Sequence, residues 1–284
     1  MNTKKIIAYL SILLALLVTL TGGFYYYQAS QILRVTFCDV GQGDAILIQT
    51  PQRQNILIDG GPDNSVLNCL GKNLPFYDRQ LSLVILTHPH ADHTTGLIEV
   101  LNRYQVKQVL LTKTKYSDPI YNQLLSLIQQ KNIPTVDPAN QPNFNLSQNI
   151  NLATLYPLTS LVDQTVDNIN NTSIVNKLTY QNISFLFMGD LEVAAENVLI
   201  LNQPNLKSDV LKVGHHGSTS SSAPEFLNLV KPRIAIISVG VKNTYSLPSL
   251  RTIRRLEKLG SQVIQTSLSG EITIQSDGQK FWLK

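Results

Sequence analysis

The residues of this sequence with the most evident chemistry lie in one short segment, Thr87–His93, which contains three histidines and an aspartate. The segment directly follows an apolar run, so we expect a strand to deliver it to the edge of a sheet. Imidazole and carboxylate groups are ligands for Zn²⁺, Mn²⁺ or iron. His88 and His90 are predicted to bind one ion. Asp92 and His93 are far enough from this pair along the chain to bind a second ion.

The distribution of histidine favours a functional site over a polar turn that happens to be rich in this residue. The 284-residue chain has five histidines, three of them in Thr87–His93 and the other two adjacent, at His215 and His216. The adjacent pair follows a predicted strand, Asp209–Val213, and supplies a ligand that the second ion lacks. Two ions about 3.5–4 Å apart can bracket the attacking and leaving oxygens of a hydrolysis.

Several carboxylates also lie at the ends of predicted strands. Asp190 comes directly after the strand Ile183–Met188 and its glycine, where it could bridge two ions; the alternative is that it caps a helix at 191–201. Asp39, Asp44 and Asp59 are predicted to support the metal-binding loop through hydrogen bonds. Taken singly, each of these three is explained equally well as a turn residue.

The elements predicted around these residues indicate a mixed α/β fold. Strands at 32–40, 45–48 and 55–58 are predicted to form an antiparallel meander. A helix is expected at 96–104, after the histidine segment, and from there strands and helices alternate. The stretch 136–149 is rich in Pro, Asn and Gln and is predicted to be an irregular loop.

Composition permits a large core but does not mark a nucleic-acid-binding protein. Hydrophobic residues make up 43% of the chain, and the formal net charge is only +4. A basic footprint requires lysine and arginine clustered on one face. The predicted helix at 248–259 is the one candidate, and a solvated polar face is favoured there over a phosphate-binding groove. Its basic residues are Arg251, Arg254, Arg255 and Lys258.

The N-terminal segment is predicted to cross a membrane. Residues 6–24 contain no charged residue, follow Lys4 and Lys5, and precede three tyrosines. About 20 apolar residues span a bilayer, and aromatic residues favour its interface. A cleaved signal peptide is the competing interpretation, but the apolar region is long for one. We therefore expect an anchor at 1–30 and a domain at 31–284, held outside the cytoplasmic membrane because the lysines stay inside.

The two cysteines, Cys38 and Cys69, do not have the spacing of a metal site. Cys38 ends an apolar strand and is predicted to be a small buried hydrophobic residue. A disulfide between the two is possible, but the spacing does not favour it.

Seven motifs, in order between residues 32 and 284, resemble the metallo-β-lactamase superfamily. The narrower resemblance is to the hydrolase-like domain of ComEC-type competence proteins, which internalise DNA. The resemblance implies a four-layer αββα sandwich, here preceded by one transmembrane helix, with metals between the two sheets at one edge. The motifs are VTFCDVGQGDAILI, ILIDGG, LTHPHADH, NNTSIV, FLFMGDLE, LKVGHHGS and ISVGVKN.

The same resemblance implies roles for the candidate ligands of one or two divalent ions, Zn²⁺ or Mn²⁺. Asp92 and Asp190 would also be the catalytic carboxylates. Lys212, Ser218 and Asn243 are candidate substrate contacts. The matched ligands are His88 and His90 for the first ion, Asp92 and His93 for the second, Asp190 as the bridge, and one of His215 and His216 as the late ligand.

Two positions depart from the family pattern. Many superfamily members have a histidine where this chain has Asn170, so a weak or exchangeable first ion is expected. ComEC-like sequences often carry another histidine where this chain has Leu247, which cannot bind metal or donate a proton. Either a neighbouring serine or tyrosine takes over part of the role of that histidine, or the activity is attenuated.

Three functions follow as hypotheses. The first is a phosphodiesterase or nuclease that acts on DNA, the substrate class attached to the resembled family. The second is hydrolysis of a small phosphoester or a lactone at the cell envelope, because one fold hosts many chemistries. The third is a membrane-tethered binding module without turnover.

Overall fold

The protein is described here by a computed structural model, which covers residues 3–202 and 205–284. Its strands, in chain order, are β1 (Leu33–Phe37), β2 (Ile46–Gln49), β3 (Asn55–Ile58), β4 (Gln80–Leu81), β5 (Leu83–Ile85), β6 (Gln105–Val106), β7 (Val109–Leu110), β8 (Thr135–Val136), β9 (Asn143–Ser147), β10 (Ile150–Tyr156), β11 (Val175–Tyr180), β12 (Ile183–Phe187), β13 (Val210–Lys212), β14 (Ile234–Ile237), β15 (Gln262–Gln265), β16 (Ile272–Ser276) and β17 (Phe281–Leu283).

Helices lie between the strands, and two short 3₁₀ turns occupy Ile169–Thr172 and Gly214–Gly217. The helices are α1 (Thr3–Ser30), α2 (Ser65–Asn73), α3 (Ala91–Arg103), α4 (Pro119–Gln130), α5 (Val193–Asn202), α6 (Pro224–Val230), α7 (Leu250–Lys258) and α8 (Thr266–Ser269).

Two large sheets organise the described residues. The first has the strand order β17-β16-β1-β2-β3-β5-β7-β8, and the second has β15-β14-β13-β12-β11-β10-β9. The predicted meander is confirmed, because β1 pairs with β2 and β2 with β3 in antiparallel register. Beyond it, β3, β5, β7 and β8 run parallel, so their carboxyl ends reach the same edge.

The alternation of side chains along each strand separates the interior into three apolar layers. Leu33, Val35 and Phe37 of β1 point into the layer between the sheets. There Phe37 meets Phe187 of β12, with ring centroids 6.3 Å apart. Helices α2, α3 and α4 cover the outer face of the first sheet, and α5, α6 and α7 cover the second. The predicted mixed α/β fold with an αββα arrangement is therefore observed.

Two boundary predictions were wrong. Helix α3 begins at Ala91 rather than at Gly96, so Asp92 and His93 lie in its first turn instead of in a loop. An acidic residue is stabilised there by the positive end of the helix dipole. The stretch 136–149 is not wholly irregular, because β9 forms within it and pairs with β10.

The predicted anchor at 6–24 falls within α1, whose residues 9–23 are exposed. The side chains of residues 1–8 and 24–30 are outside the described part of the structure. Among the helices that are described, none is long and apolar enough to pass through a bilayer. The structure therefore gives the predicted transmembrane helix no support.

Cys38 and Cys69 form a disulfide, with their Cα atoms 5.8 Å apart. The bond joins the end of β1 to α2, and both residues belong to the apolar layer beneath α2 and α3. The expectation that Cys38 is buried was right. The cysteine spacing did not favour the disulfide because the approach of α2 to β1 is a tertiary contact.

Candidate metal centre

The candidate ligands come from three separate parts of the chain, 88–93, 190 and 215–216. His88 and His90 follow β5, Asp92 and His93 begin α3, Asp190 follows β12, and His215 and His216 follow β13. Each group lies just beyond the carboxyl end of a strand or at a helix start. The fold thereby gathers at one edge residues that are as many as 128 positions apart in sequence.

The carboxylate of Asp190 is at the centre of this cluster. Its Oδ2 lies 3.3 Å from His216 Nε2 and 3.4 Å from His93 Nε2. The Nε2 atoms of His88 and His215 each lie 3.9 Å from the same oxygen. The alternative role for Asp190, as a helix cap, is wrong because α5 begins only at Val193.

Asp92, His93 and His216 form one group of ligand atoms close enough to hold an ion. Asp92 Oδ2 is 4.0 Å from His93 Nε2 and 3.4 Å from His216 Nε2. Within the described residues, the buried Nε2 atoms of both histidines have no hydrogen-bond partner. Buried polar groups are normally satisfied, so these orphaned nitrogens fit a bound divalent cation.

His88 and His90 form the other side of the centre. His88 Nε2 lies 3.1 Å from His90 Nδ1, and His88 Nδ1 lies 3.1 Å from the Thr87 hydroxyl. Burial lowers the pKa of His88 well below the usual value for histidine, so the ring is neutral at pH 7. Neutral imidazole is the form that binds metal.

The charges of the metal-free cluster balance one another. Burial alone would lower the pKa of His216, but Asp190, Asp92 and Asp44 raise it to about 10. The pKa of Asp190 is held well below its ordinary value by His216 and His93, which outweigh burial. A divalent cation would replace the protons on these imidazoles as the compensating charge, so metal affinity is expected to fall with decreasing pH.

Asp59 orients His93, which fits the supporting role among the two interpretations that the sequence left open for this aspartate. It is fully buried, and its Oδ2 lies 2.7 Å from both His93 Nδ1 and the Thr87 hydroxyl. Its other oxygen accepts a 2.8 Å hydrogen bond from the Thr87 backbone. A carboxylate on Nδ1 fixes the ring so that Nε2 faces the metal. Burial raises the pKa of Asp59, although His93 opposes that effect.

Asp44 also supports the centre, and it explains why Lys212 does not contact substrate. Lys212 is fully buried, with its Nζ 2.6 Å from Asp44 Oδ2. Its role as a substrate contact was wrong, because the ammonium group neutralises a buried carboxylate. Asp44 Oδ1 lies 3.5 Å from His216 Nδ1, which is 2.9 Å from the Ser238 carbonyl oxygen.

Three other predicted residues have local roles. Asp39 is exposed and accepts a 3.4 Å hydrogen bond from Gly41, so it is a turn residue rather than a support for the ligands. Asn243 bonds the Gly240 and Leu247 carbonyls, which ties its own loop together instead of presenting the amide to substrate. Ser218 lies 3.0 Å from Ser220, a neighbour of His215, and so supports the site only indirectly.

Glu192 and Ser220 were missed by sequence reasoning. His215 Nδ1 lies 3.2 Å from Glu192 Oε1 and 3.0 Å from the Ser220 hydroxyl, which leaves Nε2 to face Asp190. Asn170 donates a 3.1 Å hydrogen bond to the same Glu192 oxygen. The acidic residue two positions after Asp190 was the available signal.

Backbone geometry at the centre is unusual in two places. His215 and His216 both have left-handed conformations, with φ of 48° and 51°. Such strain in residues other than glycine is concentrated at functional sites. Gly43 lies so close to α3 that a Cβ atom would be 2.1 Å from the Asp92 carbonyl oxygen. Glycine is therefore required where the turn before Asp44 packs against the ligand helix.

Comparison with known proteins agrees with this architecture. Residues 38–241 match the family model of the metallo-beta-lactamase superfamily. ComE operon protein 3 of Bacillus subtilis (strain 168) is 30% identical over 266 residues, which cover 88% of this chain and 34% of that protein. Competence protein ComA of Neisseria gonorrhoeae is 26% identical over 90% of this chain and 34% of its own length. The chain thus spans about a third of these curated relatives.

A solved structure with a similar fold is Igni18, a metallo hydrolase from Ignicoccus hospitalis. Its TM-score is 0.53 at 15% identity, and the match covers 84% of this chain and 98% of that one. At this identity the similarity concerns the fold alone.

Proposed function

Because this chain belongs to the metallo-β-lactamase superfamily, a group of metal-dependent hydrolases, we propose that it is a phosphodiesterase acting on DNA, a nuclease. The observation that carries the proposal is the Asp190 carboxylate, which lies within 3.9 Å of the Nε2 atoms of four histidines. This donor set suits two borderline cations better than one.

The ligands divide between two ions. Asp92, His93 and His216 would hold one, and His88, His90 and His215 would surround the other, with Asp190 between them. When bound, Zn²⁺ or Mn²⁺ would supply Lewis acidity to a phosphoryl oxygen and lower the pKa of water. Asp92 has a side chain that is 31% exposed, so its carboxylate can also accept a hydrogen bond from the incoming nucleophile. Asp59 and Glu192 hold the imidazoles in place.

DNA is proposed as the substrate because two relatives have names that refer to competence or its operon. These relatives are about three times longer than the chain, so DNA as the substrate of this chain is a proposal. Hydrolysis of a small phosphoester or a lactone at the cell envelope is the alternative activity. The replacements at Asn170 and Leu247 would favour a binding module without turnover, whereas the intact ligand set opposes it. That set is His88, His90, Asp92, His93 and Asp190.

We also propose that residues 31–284 work outside the cytoplasmic membrane. The disulfide between Cys38 and Cys69 supports this location, because disulfides persist in oxidising compartments. Attachment through residues 6–24 remains part of the same proposal. A reporter enzyme that is active only outside the membrane, fused after Lys284, would be active if this is right and silent if the domain faces the cytoplasm.

The proposed activity is tested by cleavage of end-labelled single- and double-stranded DNA with Mn²⁺ or Zn²⁺, with Asp190→Ala beside the unaltered protein. We expect metal-dependent cleavage that the substitution abolishes. A matched control is Asp39→Ala, which removes an exposed carboxylate outside the centre. Equal cleavage by the Asp190→Ala protein, or none by the unaltered protein loaded with metal, would contradict the proposal.

A further inference from the structure

A groove of about 1120 Å³ opens beside the metal centre. We call it the α4 groove. One wall is the segment 113–117, which follows β7, and the other is helix α4 with the residues after it. Leu125 and Ile128 make part of its surface apolar, while the amides of Asn122 and Asn132 also line it. A surface that combines apolar area with amides suits a flat, polar-edged ring.

Tyr116 joins this groove to the metal centre. It lines the groove, and its ring lies edge-on to the candidate ligand His90, with centroids 5.9 Å apart. A molecule in the groove would therefore pass Tyr116 on its way to the ligands.

Two lysines give the groove a positive wall. Lys113 and Lys115 are exposed, and neither forms an ion pair within residues 3–202 and 205–284. Asp163 also lines the groove, so the two ammonium groups exceed the carboxylates there. The backbone of this wall is fixed, because Lys115 donates to the Gln164 carbonyl at 2.9 Å and Asp163 donates to the Lys113 carbonyl at 3.1 Å.

We propose that the α4 groove binds the single-stranded part of a nucleic acid that flanks the phosphodiester at the metal centre. Lys113 and Lys115 contact its phosphates, and Tyr116 stacks on the base beside the cleaved bond. Cationic grooves with an aromatic platform bind single strands in this way, and stacking requires an unpaired base. The inference rests on the proposed function and deepens it, because it names the form of the substrate.

Binding is tested by fluorescence anisotropy with a labelled phosphorothioate oligothymidylate, which resists cleavage, across a series of salt concentrations. Lys113→Glu/Lys115→Glu should weaken binding and flatten the plot of log affinity against log salt by about 1.4, since each single-strand phosphate contact contributes about 0.7. Tyr116→Ala should weaken binding about tenfold or more, whereas Tyr116→Phe should retain it because phenylalanine still stacks.

The matched control is Lys72→Glu/Lys107→Glu, which makes the same charge change at two exposed lysines outside the groove. We expect it to leave the affinity unchanged. The proposed binding of a single strand would be overturned if the Lys113→Glu/Lys115→Glu protein kept the affinity and salt slope of the unaltered protein. It would also be overturned if a duplex bound more tightly than a single strand. Cleavage by the unaltered protein is measured separately. If the unaltered protein does not cleave DNA but the groove variants still lose binding, the proposed nuclease activity is contradicted and the proposed binding of a single strand in the groove is supported.

Discussion

The orientation of each imidazole determines which ion it can bind. His216 turns Nδ1 toward the Ser238 carbonyl, and His215 turns Nδ1 toward Glu192, so both present Nε2 to Asp190. The two adjacent histidines are thus held by different partners. Only His216 also lies near Asp92, at 3.4 Å. His216 would therefore serve an ion that Asp92 and His93 hold, and His215 would serve the ion on the side of His88 and His90.

We predict that His216→Ala loses the ion held by Asp92 and His93, whereas His215→Ala retains it. The reason is that Asp92 Oδ2 lies 3.4 Å from His216 Nε2, within reach of a shared ion, while His215 directs Nε2 at Asp190 and Nδ1 at Glu192. Calorimetric titration of each metal-free variant with Zn²⁺ measures the number of sites and their affinities. Loss of the same site in both variants would refute the separate assignments.

Asp59→Asn is predicted to weaken metal binding by about 10- to 100-fold, the range found for carboxylates that orient a ligand histidine. The asparagine side chain has a neutral oxygen and an NH₂ group in place of two charged oxygens. It therefore cannot accept the hydrogen bonds from His93 and Thr87 as the carboxylate does. Competition with a chelating dye measures the affinity. Asp39→Asn is the control, because Asp39 is a turn aspartate that the sequence did not distinguish from Asp59. Equal affinities in the two variants would count against the role of Asp59.

The ligands themselves could be predicted from the sequence because their type and spacing are local properties of Thr87–His93, Asp190 and His215–His216. Their supporting residues could not be separated in the same way. Asp39, Asp44 and Asp59 all lie near the ends of strands, and only tertiary packing decides which of them reaches the centre. Lys212 was misassigned for the same reason, since its burial against Asp44 depends on a turn distant in sequence.

Among the structural elements, the buried pair of Lys212 and Asp44 links the end of β13 in the second sheet to the turn between β1 and β2 in the first. Both side chains are almost wholly buried, and their charged atoms are 2.6 Å apart. The contact spans the two sheets beside the metal centre. A defect in this pair would therefore affect folding as well as the position of His216.

We predict that Lys212→Met lowers the free energy of unfolding by about 3–5 kcal/mol, because it leaves the Asp44 carboxylate buried without its partner. Urea unfolding followed by circular dichroism measures the change. Lys107→Met, at an exposed lysine, is the control and should change stability little. Unaltered stability of Lys212→Met combined with a raised KM for DNA would restore Lys212 as a substrate contact.

Strand order could be predicted only in part. The β1–β2–β3 meander followed from apolar runs separated by tight turns, and it is present. The start of α3 was placed five residues late because its first turn contains the polar ligands, which look like a loop in sequence. The short β9 was missed because its polar residues alternate with only two buried ones, Phe144 and Leu146.

For the molecule as a whole, the disulfide is expected to increase the free energy of unfolding. This contribution is expected under oxidising conditions and to be lost when the bond is reduced. Its cysteines are separated by 31 positions. Closing a loop of this length reduces the entropy of the unfolded chain by an amount equivalent to roughly 3.5 kcal/mol at 25 °C. We predict that Cys38→Ser/Cys69→Ser is destabilised by about that amount under oxidising conditions. Thermal unfolding with and without reductant measures it.

The Cys38→Ser/Cys69→Ser variant is the control for the effect of reductant, because it has no disulfide to reduce. Reductant should lower the melting temperature of the unaltered protein toward that of Cys38→Ser/Cys69→Ser and leave the variant unchanged. A melting temperature of the unaltered protein that does not respond to reductant, once loss of the bond is verified by thiol titration, would show that the bond adds no stability.

Segments that follow strands of both sheets converge on Asp190, where we propose that they assemble one two-ion centre. The number of Zn²⁺ or Mn²⁺ ions per chain is measured by elemental analysis, after loading and dialysis, in the unaltered protein and in Asp190→Asn. We expect two ions per chain in the unaltered protein and at most one in the variant, because a neutral amide cannot hold two cations together. An unaltered protein that binds no ion, or a variant that binds as many as the unaltered protein, would contradict the account.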